Sequence, residues 1–299
     1  MLFSNRKKRL KNERSLLLKQ KSLALSVMFH QLTLTSKEKG VTENEDDIIV
    51  SLTSFSHRVN DVYLTIESIF QQTQKASKVY LWLAEKDFPN REKDLPKSLI
   101  QQMERGLTVK FCEQDLGPYT KFFYTLKENP ESLIVTVDDD ILYPFDMIDQ
   151  LYSAYKKEPN VIHCQRAHRI MKDGQGGLIP YKKWTKNYKG TEASADVFPT
   201  GVGGVMYFPG CFADEILDKE AFLKLAPNSD DVWLKAMTLK KGVLSKAIQD
   251  FRPWGDRYLI IEGSQLVALK RKNKTAGQGN DPKLKAVFEQ YNLYQKLEG

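Results

Sequence analysis

Cysteine is scarce in this sequence: Cys112, Cys164 and Cys211 stand alone, with no CxxC pair and no metal-ligand spacing. That excludes a disulfide scaffold and a thiolate metal site, and three buried thiols in a reducing cytoplasm are expected. Long apolar runs are missing as well. The longest uncharged apolar stretch of the N-terminal region, around Leu23 to Phe29, falls far short of the ~20 residues a membrane span requires. A secretory signal is not expected either, because Lys19 and Lys21 interrupt the apolar residues and no small-residue cleavage site follows. No internal repeat or low-complexity tract is present. The glycines of "FPTGVGGVMYFPG", Gly201, Gly203, Gly204 and Gly210, lack the spacing of a P-loop or dinucleotide fingerprint.

Positive charge is in excess, at net +7, but its location changes its meaning. Residues 1–39 hold ten Lys/Arg against two Asp/Glu, a net +8, whereas the 35 basic and 36 acidic residues of the remainder nearly cancel. A neutral body with a basic tail argues against a surface that tracks phosphates, so no nucleic-acid partner is expected. Hydrophobic residues at 41% and aromatics at 11% exclude a mainly disordered chain. The length suits one large α/β domain with additions or two smaller domains. The tail itself, "MLFSNRKKRLKNERSLLLKQKSLALSVMFHQL", consists of good helix formers. It is expected to be a helix that packs on the domain, self-associates, or lies on an anionic membrane surface through residues 1–36.

After the charged linker "TSKEKGVTENEDD", the β-branched run "IIVSLTSFSHRV" predicts a first core strand opening into polar residues. "DVYLTIESIFQQ" carries Val62, Ile66, Ile69 and Phe70 at helical spacing, and "KVYLWLA" reads as a second buried strand. "LPKSLIQQMERG" gives a helix ended by Gly106, "LTVKFCE" a third strand, "KFFYTLKEN" a helix and "SLIVTV" a fourth strand. This alternation predicts an α/β, doubly wound, mostly parallel sheet with helices on both faces. Ligands of such sheets bind at the carboxyl ends of the strands. The polar loop after the first strand and the triplet Asp138, Asp139, Asp140 after the fourth therefore belong to one cleft.

Three adjacent carboxylates repel and raise one another's pKa unless a cation compensates. Oxygen ligation with few protein ligands suits Mg²⁺ or Mn²⁺, which complete their shells with water and diphosphate oxygens. The competing reading is a solvated acidic turn in which Asp140 caps the next helix. Further on, "VIHCQRAHRI" reads as another strand, with His163 and His168 structural, and "GGLIPYKKWTKNY" as a loop too long and aromatic for a turn. Tyr181 and Trp184 either stack on the apolar face of a pyranose or pack in the core. Gly203 and Gly204, with their neighbours, are expected to let backbone approach a sugar. "APNSDDVWLKAM" places Asp230 and Asp231 before a helical pattern, where either residue suits a helix cap.

At these residues the chain resembles a family: "VTVDDDILYP" is similar to the DxD motif of GT-A glycosyltransferases, bacterial family-2-like enzymes that use nucleotide-diphosphate sugars. "IIVSLTSFSHRV" resembles their first strand and nucleotide-binding loop, "IESIFQQTQKASKVYLWL" the helix and strand that follow, and "LGPYTKFFYTLKENP" the segment supplying a basic residue near the base. With "SDDVWLKAM", the likeness covers about residues 46–250, leaving 1–39 as a basic helical segment and 251–299 as a C-terminal extension or lid. The resemblance implies that Thr53, Ser54 and Phe55 border base and ribose, that Arg58 lies near the phosphates and that Lys121 faces the nucleotide. It gives Asp138 to ribose and metal, Asp140 to the metal and Asp139 to the turn or the donor sugar, and makes Asp231, beside Asp230, the general base of an inverting enzyme. For Arg58 and Lys121 the alternative is an ordinary surface cation. The chain departs from the pattern in lacking the late metal-binding histidine, since none follows His168. "NKTAGQGNDPKL", with Asn280 and Asp281, is either a lid or donor contact or a solvated loop.

The expected activity is therefore a Mn²⁺- or Mg²⁺-dependent hexosyl- or N-acetylhexosaminyltransferase. It would move a sugar from a nucleotide-diphosphate donor, UDP by default, to a glycan or lipid-linked acceptor in bacterial surface polysaccharide or lipopolysaccharide synthesis. It is expected in the cytoplasm or peripherally on the inner face of the membrane. Two alternatives stand beside it. A metal-dependent phosphoryl-transfer enzyme also places aspartates at strand ends, but "DDDIL" lacks the Thr or Val expected after a phosphatase's aspartate pair and follows the fourth strand instead of the first. The other is a non-catalytic nucleotide-sugar-binding or scaffold protein.

Overall fold

The computed structural model describes residues 2–264 and 279–297. The chain begins with the helix α1 (Leu2–Thr35) and enters the sheet at β1 (Ile48–Thr53), followed by α2 (Val62–Phe70), β2 (Lys78–Ala84), α3 (Lys97–Glu104), β3 (Leu107–Cys112), α4 (Thr120–Glu128) and β4 (Leu133–Thr136). The second half runs β5 (Ile141–Leu142), α5 (Met147–Lys157), β6 (Val161–Cys164), β7 (Ala167–Arg169), β8 (Val197–Pro199), β9 (Val205–Tyr207), α6 (Lys219–Leu225), α7 (Asp230–Lys241) and β10 (Leu244–Ala247). It closes with α8 (Trp254–Arg257), β11 (Leu259–Ile260) and α9 (Asn280–Gln290).

Among the described residues the central sheet has seven strands in the order β10-β6-β9-β4-β1-β2-β3. Neighbours are parallel except at β9, which lies antiparallel between β4 and β6. Residues of β1 and β2 are buried on both faces, as a helix-covered parallel sheet requires. One apolar cluster joins Val50, Leu52, Ile66, Phe70, Leu99 and Ile148, and another joins Tyr119, Phe122, Phe222, Trp233, Val287 and Phe288. The α/β architecture and mostly parallel sheet are those expected from the sequence, and α3 ends as expected at Gly106, with φ +113°.

Three local expectations change. "VIHCQRAHRI" is not one strand: β6 stops at Cys164, the Gln165 amide donates to the Gly204 carbonyl at 3.1 Å, and β7 then pairs with β8 in a separate ribbon. Asp140 caps no helix, because β5 follows it and α5 begins only at Met147 after Asp146. The described part of 251–299 is built into the domain: β11 pairs with β5 directly behind the aspartates, and Leu284, Val287 and Phe288 of α9 are core residues. Residues 273–278 of "NKTAGQGNDPKL" lie outside the described residues.

The basic tail forms the expected helix, and one face of it is docked. Phe29 is buried against Leu64, Leu142, Leu259 and Ile261, and Ser22 Oγ donates to the Ile260 carbonyl at 2.7 Å. Thr33 reaches the fully buried Glu67 carboxylate of α2, to which Arg105 donates twice, at 2.7 and 2.9 Å. The opposite face leaves Leu16, Leu17, Leu23 and Val27 exposed. No described helix is long and apolar enough to cross a membrane. The three cysteines are free and buried.

Candidate active site

The turn after β4 is held from below. The Asp138 amide donates to Tyr143 Oη at 2.8 Å, and the Asp140 carbonyl accepts from the Ile261 amide at 3.0 Å. Asp139 is buried and accepts from Ser54 Oγ at 2.7 Å and Arg58 Nη1 at 2.5 Å. The second guanidinium nitrogen of Arg58 lies 3.4 Å from Asp140. Burial pushes Asp139 up to about 6, against the opposing pull of Arg58 and Ser54. Arg58 is thus not a surface cation; it is a buried brace of the aspartate turn. Thr53 and Phe55 remain half-exposed at the end of β1, with Thr53 Oγ1 donating to the Trp82 carbonyl at 3.0 Å.

The other half of the site joins three distant segments. Lys121, at the start of α4 and buried, donates to Asp138 Oδ1 at 2.8 Å and lies 3.1 Å from Asp230 Oδ2, an ion contact without hydrogen-bond geometry. Burial opposes its charge, yet Asp138, Asp230 and Asp231 outweigh burial and hold the lysine well above its ordinary range. It is a bridge between the two acidic motifs and not a surface cation. Asp231 is not a helix cap either. The N-cap of α7 is Ser229, which makes no side-chain capping bond, and Asp231 Oδ1 instead accepts from the Gly201 amide at 2.9 Å. Burial raises Asp230, and burial together with the charge of Asp230 pushes Asp231 up to about 7. A half-buried carboxylate raised toward neutrality and oriented by one backbone amide suits a general base.

Gly201 was expected only as one of the glycines that let backbone approach a sugar, not as the partner of Asp231. A Cβ there would lie 3.0 Å from Asp231 Oδ1, 3.6 Å from Lys121 Nζ and 3.8 Å from Asp138 Oδ1, so glycine allows this convergence. Gly203 and Gly204 point elsewhere: a Cβ at Gly203 would meet Trp254 at 2.8 Å, and one at Gly204 would meet the Met147 sulfur at 2.9 Å. Trp184 is a core residue, 2% exposed, with its indole N–H on the Ile179 carbonyl at 2.9 Å. Tyr181 is half-buried beside it and within the field of Asp231. His163 bonds the Glu158 carbonyl, and His168 Nδ1 accepts from the Asn187 amide at 3.3 Å, so both rings serve structure.

Asp138 and Asp140 are half-exposed hard oxygen donors at the strand end. Among the described residues no group of three or more His, Cys, Asp or Glu is placed to hold a metal ion by itself. Two carboxylates fit Mg²⁺ or Mn²⁺, which keep several waters and share phosphate oxygens.

No protein-family model matches the chain, and no curated protein matches it. Among solved structures it is similar to Staphylococcus aureus TarS residues 1–349 in complex with UDP, at 12% identity and a TM-score of 0.44, covering 68% of this chain and 58% of that one. It is also similar to the mannosyltransferase PcManGT from Pyrobaculum calidifontis in complex with GDP-Man and Mn²⁺, at 12% identity and a TM-score of 0.42, covering 93% and 80%. The chain thus spans little over half of the TarS fragment.

Proposed function

We propose that this chain transfers a sugar from a nucleotide-diphosphate donor to an acceptor hydroxyl by direct displacement with inversion. The observation that carries the reading is Asp231: half-buried, pushed up to about 7, not capping its helix, and held by Gly201 beside the Lys121–Asp138 pair at the end of β4. Asp231 takes the proton from the acceptor oxygen as that oxygen attacks the anomeric carbon. Lys121 keeps Asp138 and Asp230 in register, while Arg58 and Ser54 fix Asp139 and the turn. Thr53 and Phe55 border the nucleotide. Asp138 and Asp140 would hold a divalent ion, which when bound supplies positive charge against the departing diphosphate. UDP is the default nucleotide, and a hexose or N-acetylhexosamine destined for a bacterial surface glycan is the proposed cargo.

A screen of nucleotide sugars for turnover with Mn²⁺ tests this. Sugar-dependent release of the nucleoside diphosphate is expected, and phosphate release indifferent to the sugar would overturn the reading in favour of phosphoryl transfer. Nucleotide and metal should bind together, each raising the other's affinity. By calorimetry, Asp140→Asn should weaken UDP binding in the presence of Mn²⁺ by about tenfold or more, the scale on which losing support for a metal site is felt. Unchanged affinity would remove Asp140 from the metal site.

The same proposal places the protein at the cytoplasmic membrane surface through α1, whose exposed leucines stand among its lysines and arginines. Because the other face of α1 is docked, the test keeps the helix and changes Leu16, Leu17 and Leu23 to Ser. Binding to phosphatidylserine vesicles should fall, and salt should release the parent protein, since each Lys or Arg near such a surface contributes about 1 kcal/mol. Equal vesicle binding by the variant would reject the membrane role.

A further inference from the structure

The loop from Gly174 to Thr191 contains Lys182, Lys183, Lys186 and Lys189 and no acid, and it folds onto the segment that carries Arg166. Arg166 leaves the sheet just beyond β6, and its carbonyl is fixed by the amide and hydroxyl of Thr200, next to Gly201. Its guanidinium stacks 5.4 Å from the Trp254 ring and uses Nε to bond Asn187 Oδ1 at 2.8 Å. Asn187 adopts φ +50°, a conformation uncommon outside glycine, which sets its amide on His168 and its side chain on Arg166. Lys186 rests 3.4 Å over the Tyr181 ring and donates to the Tyr181 carbonyl at 2.7 Å.

Neither Arg166 nor Lys186 forms an ion pair among the described residues. The carboxylates whose charge reaches them are partly engaged, Asp231 Oδ1 with the Gly201 amide and Asp281 Oδ1 with the Tyr181 amide at 2.5 Å. Partial desolvation and Arg166 lower Lys186 to about 8, and burial with the same two cations lowers His168 to about 4. Two cations linked through Asn187, the residue after Lys186, and braced on the Trp254 and Tyr181 rings form a receptor for an oxyanion.

We infer that the acceptor bears an anionic group, a carboxylate or a phosphate, which Arg166 and Lys186 clasp on the Tyr181 side of Asp231. This rests on the transfer reading above and narrows its acceptor to acidic glycans or phosphorylated carriers. Neutral sugars lack the group that these two side chains are built to meet.

The test uses the intact protein and three simple probes, glucose, glucuronate and glucose 6-phosphate, titrated calorimetrically with UDP and Mn²⁺ present. At least one of the two anionic probes should bind about tenfold or more tighter than glucose, and the tighter of the two tells carboxylate from phosphate. Arg166→Gln and the exposed-site variant Lys186→Gln should each remove most of that preference while their melting temperatures stay near the parent's. Equal binding of all three probes, or an anionic preference that survives both variants, would overturn the inference. A loss of UDP affinity in the variants with the probe preference intact would also overturn it, by assigning the cations to the donor's phosphates. Failure of the parent to bind UDP at all would sink the transfer reading instead, and the probes titrated without nucleotide would still decide whether the oxyanion receptor exists.

Discussion

Asp231→Asn is expected to lower the rate of sugar transfer by roughly 10²-fold or more, the usual scale for losing a positioned base, while UDP binding with Mn²⁺ is preserved. Asparagine keeps the Oδ1 acceptor for the Gly201 amide, so the loop that carries Gly201 should stay in place. It removes only the proton acceptor. The pH profile supplies a second readout. Because burial and Asp230 push Asp231 up to about 7, the parent's rate should rise with pH through that region as the base ionises, and the Asn variant should lose the inflection. The stability sign runs the other way. A carboxyl raised in the folded state binds protons more tightly there than in the unfolded chain, so its contribution falls as pH climbs from the unfolded value near 4 toward about 7. The variant should therefore melt no lower than the parent at neutral pH. Full transfer activity in Asp231→Asn would move the catalytic role away from this residue.

Glu67→Ala is expected to destabilise the fold by about 3–5 kcal/mol, because it strands Arg105 as a buried, unpaired charge. Glu67 and Arg105 are almost wholly excluded from solvent, with side chains 0% and 4% exposed. The carboxylate also accepts from Thr33 of α1 at 3.0 Å, Gln71 at 2.8 Å and Gln102 at 3.1 Å, and Arg105 Nε donates to the Glu38 carbonyl at 2.8 Å. One carboxylate thus ties α1 to α2 and α3. Urea unfolding measures the loss, and the paired replacement Glu67→Leu with Arg105→Met should recover much of it, since a well-packed apolar pair often replaces a buried ion pair at little cost. A loss below about 1 kcal/mol for Glu67→Ala, the range of an exposed pair, would mean that water reaches this network.

What the sequence by itself determined was local. Near-continuous apolar runs such as Ile48–Thr53 and Lys78–Ala84, and helical spacing at Val62, Ile66, Ile69 and Phe70, declare buried strands and helices because the pattern of each element is written in which of its own residues are apolar. The placement of Asp138 to Asp140 at a strand end, and with it a polar cleft, followed from the same signal. The helix-forming composition of α1 announced a helix but not what would cover it, and only the tertiary structure seated Phe29 on Leu64 and Leu142. Asp231 beside a helix start is indistinguishable from a cap until Gly201, brought by a different loop, is seen to donate to it. Lys121 reads as any surface lysine until α4 turns it between Asp138 and Asp230. Tyr181 and Trp184, three residues apart on one loop, both pack on Phe198 of β8, but only Trp184 is fully enclosed, with its indole N–H on the Ile179 carbonyl, while Tyr181 stays half-buried. The insertion of β9 between β4 and β6, antiparallel to both, is a matter of hydrogen bonds between distant strands, and a three-residue strand carries no periodicity from which to read its partners.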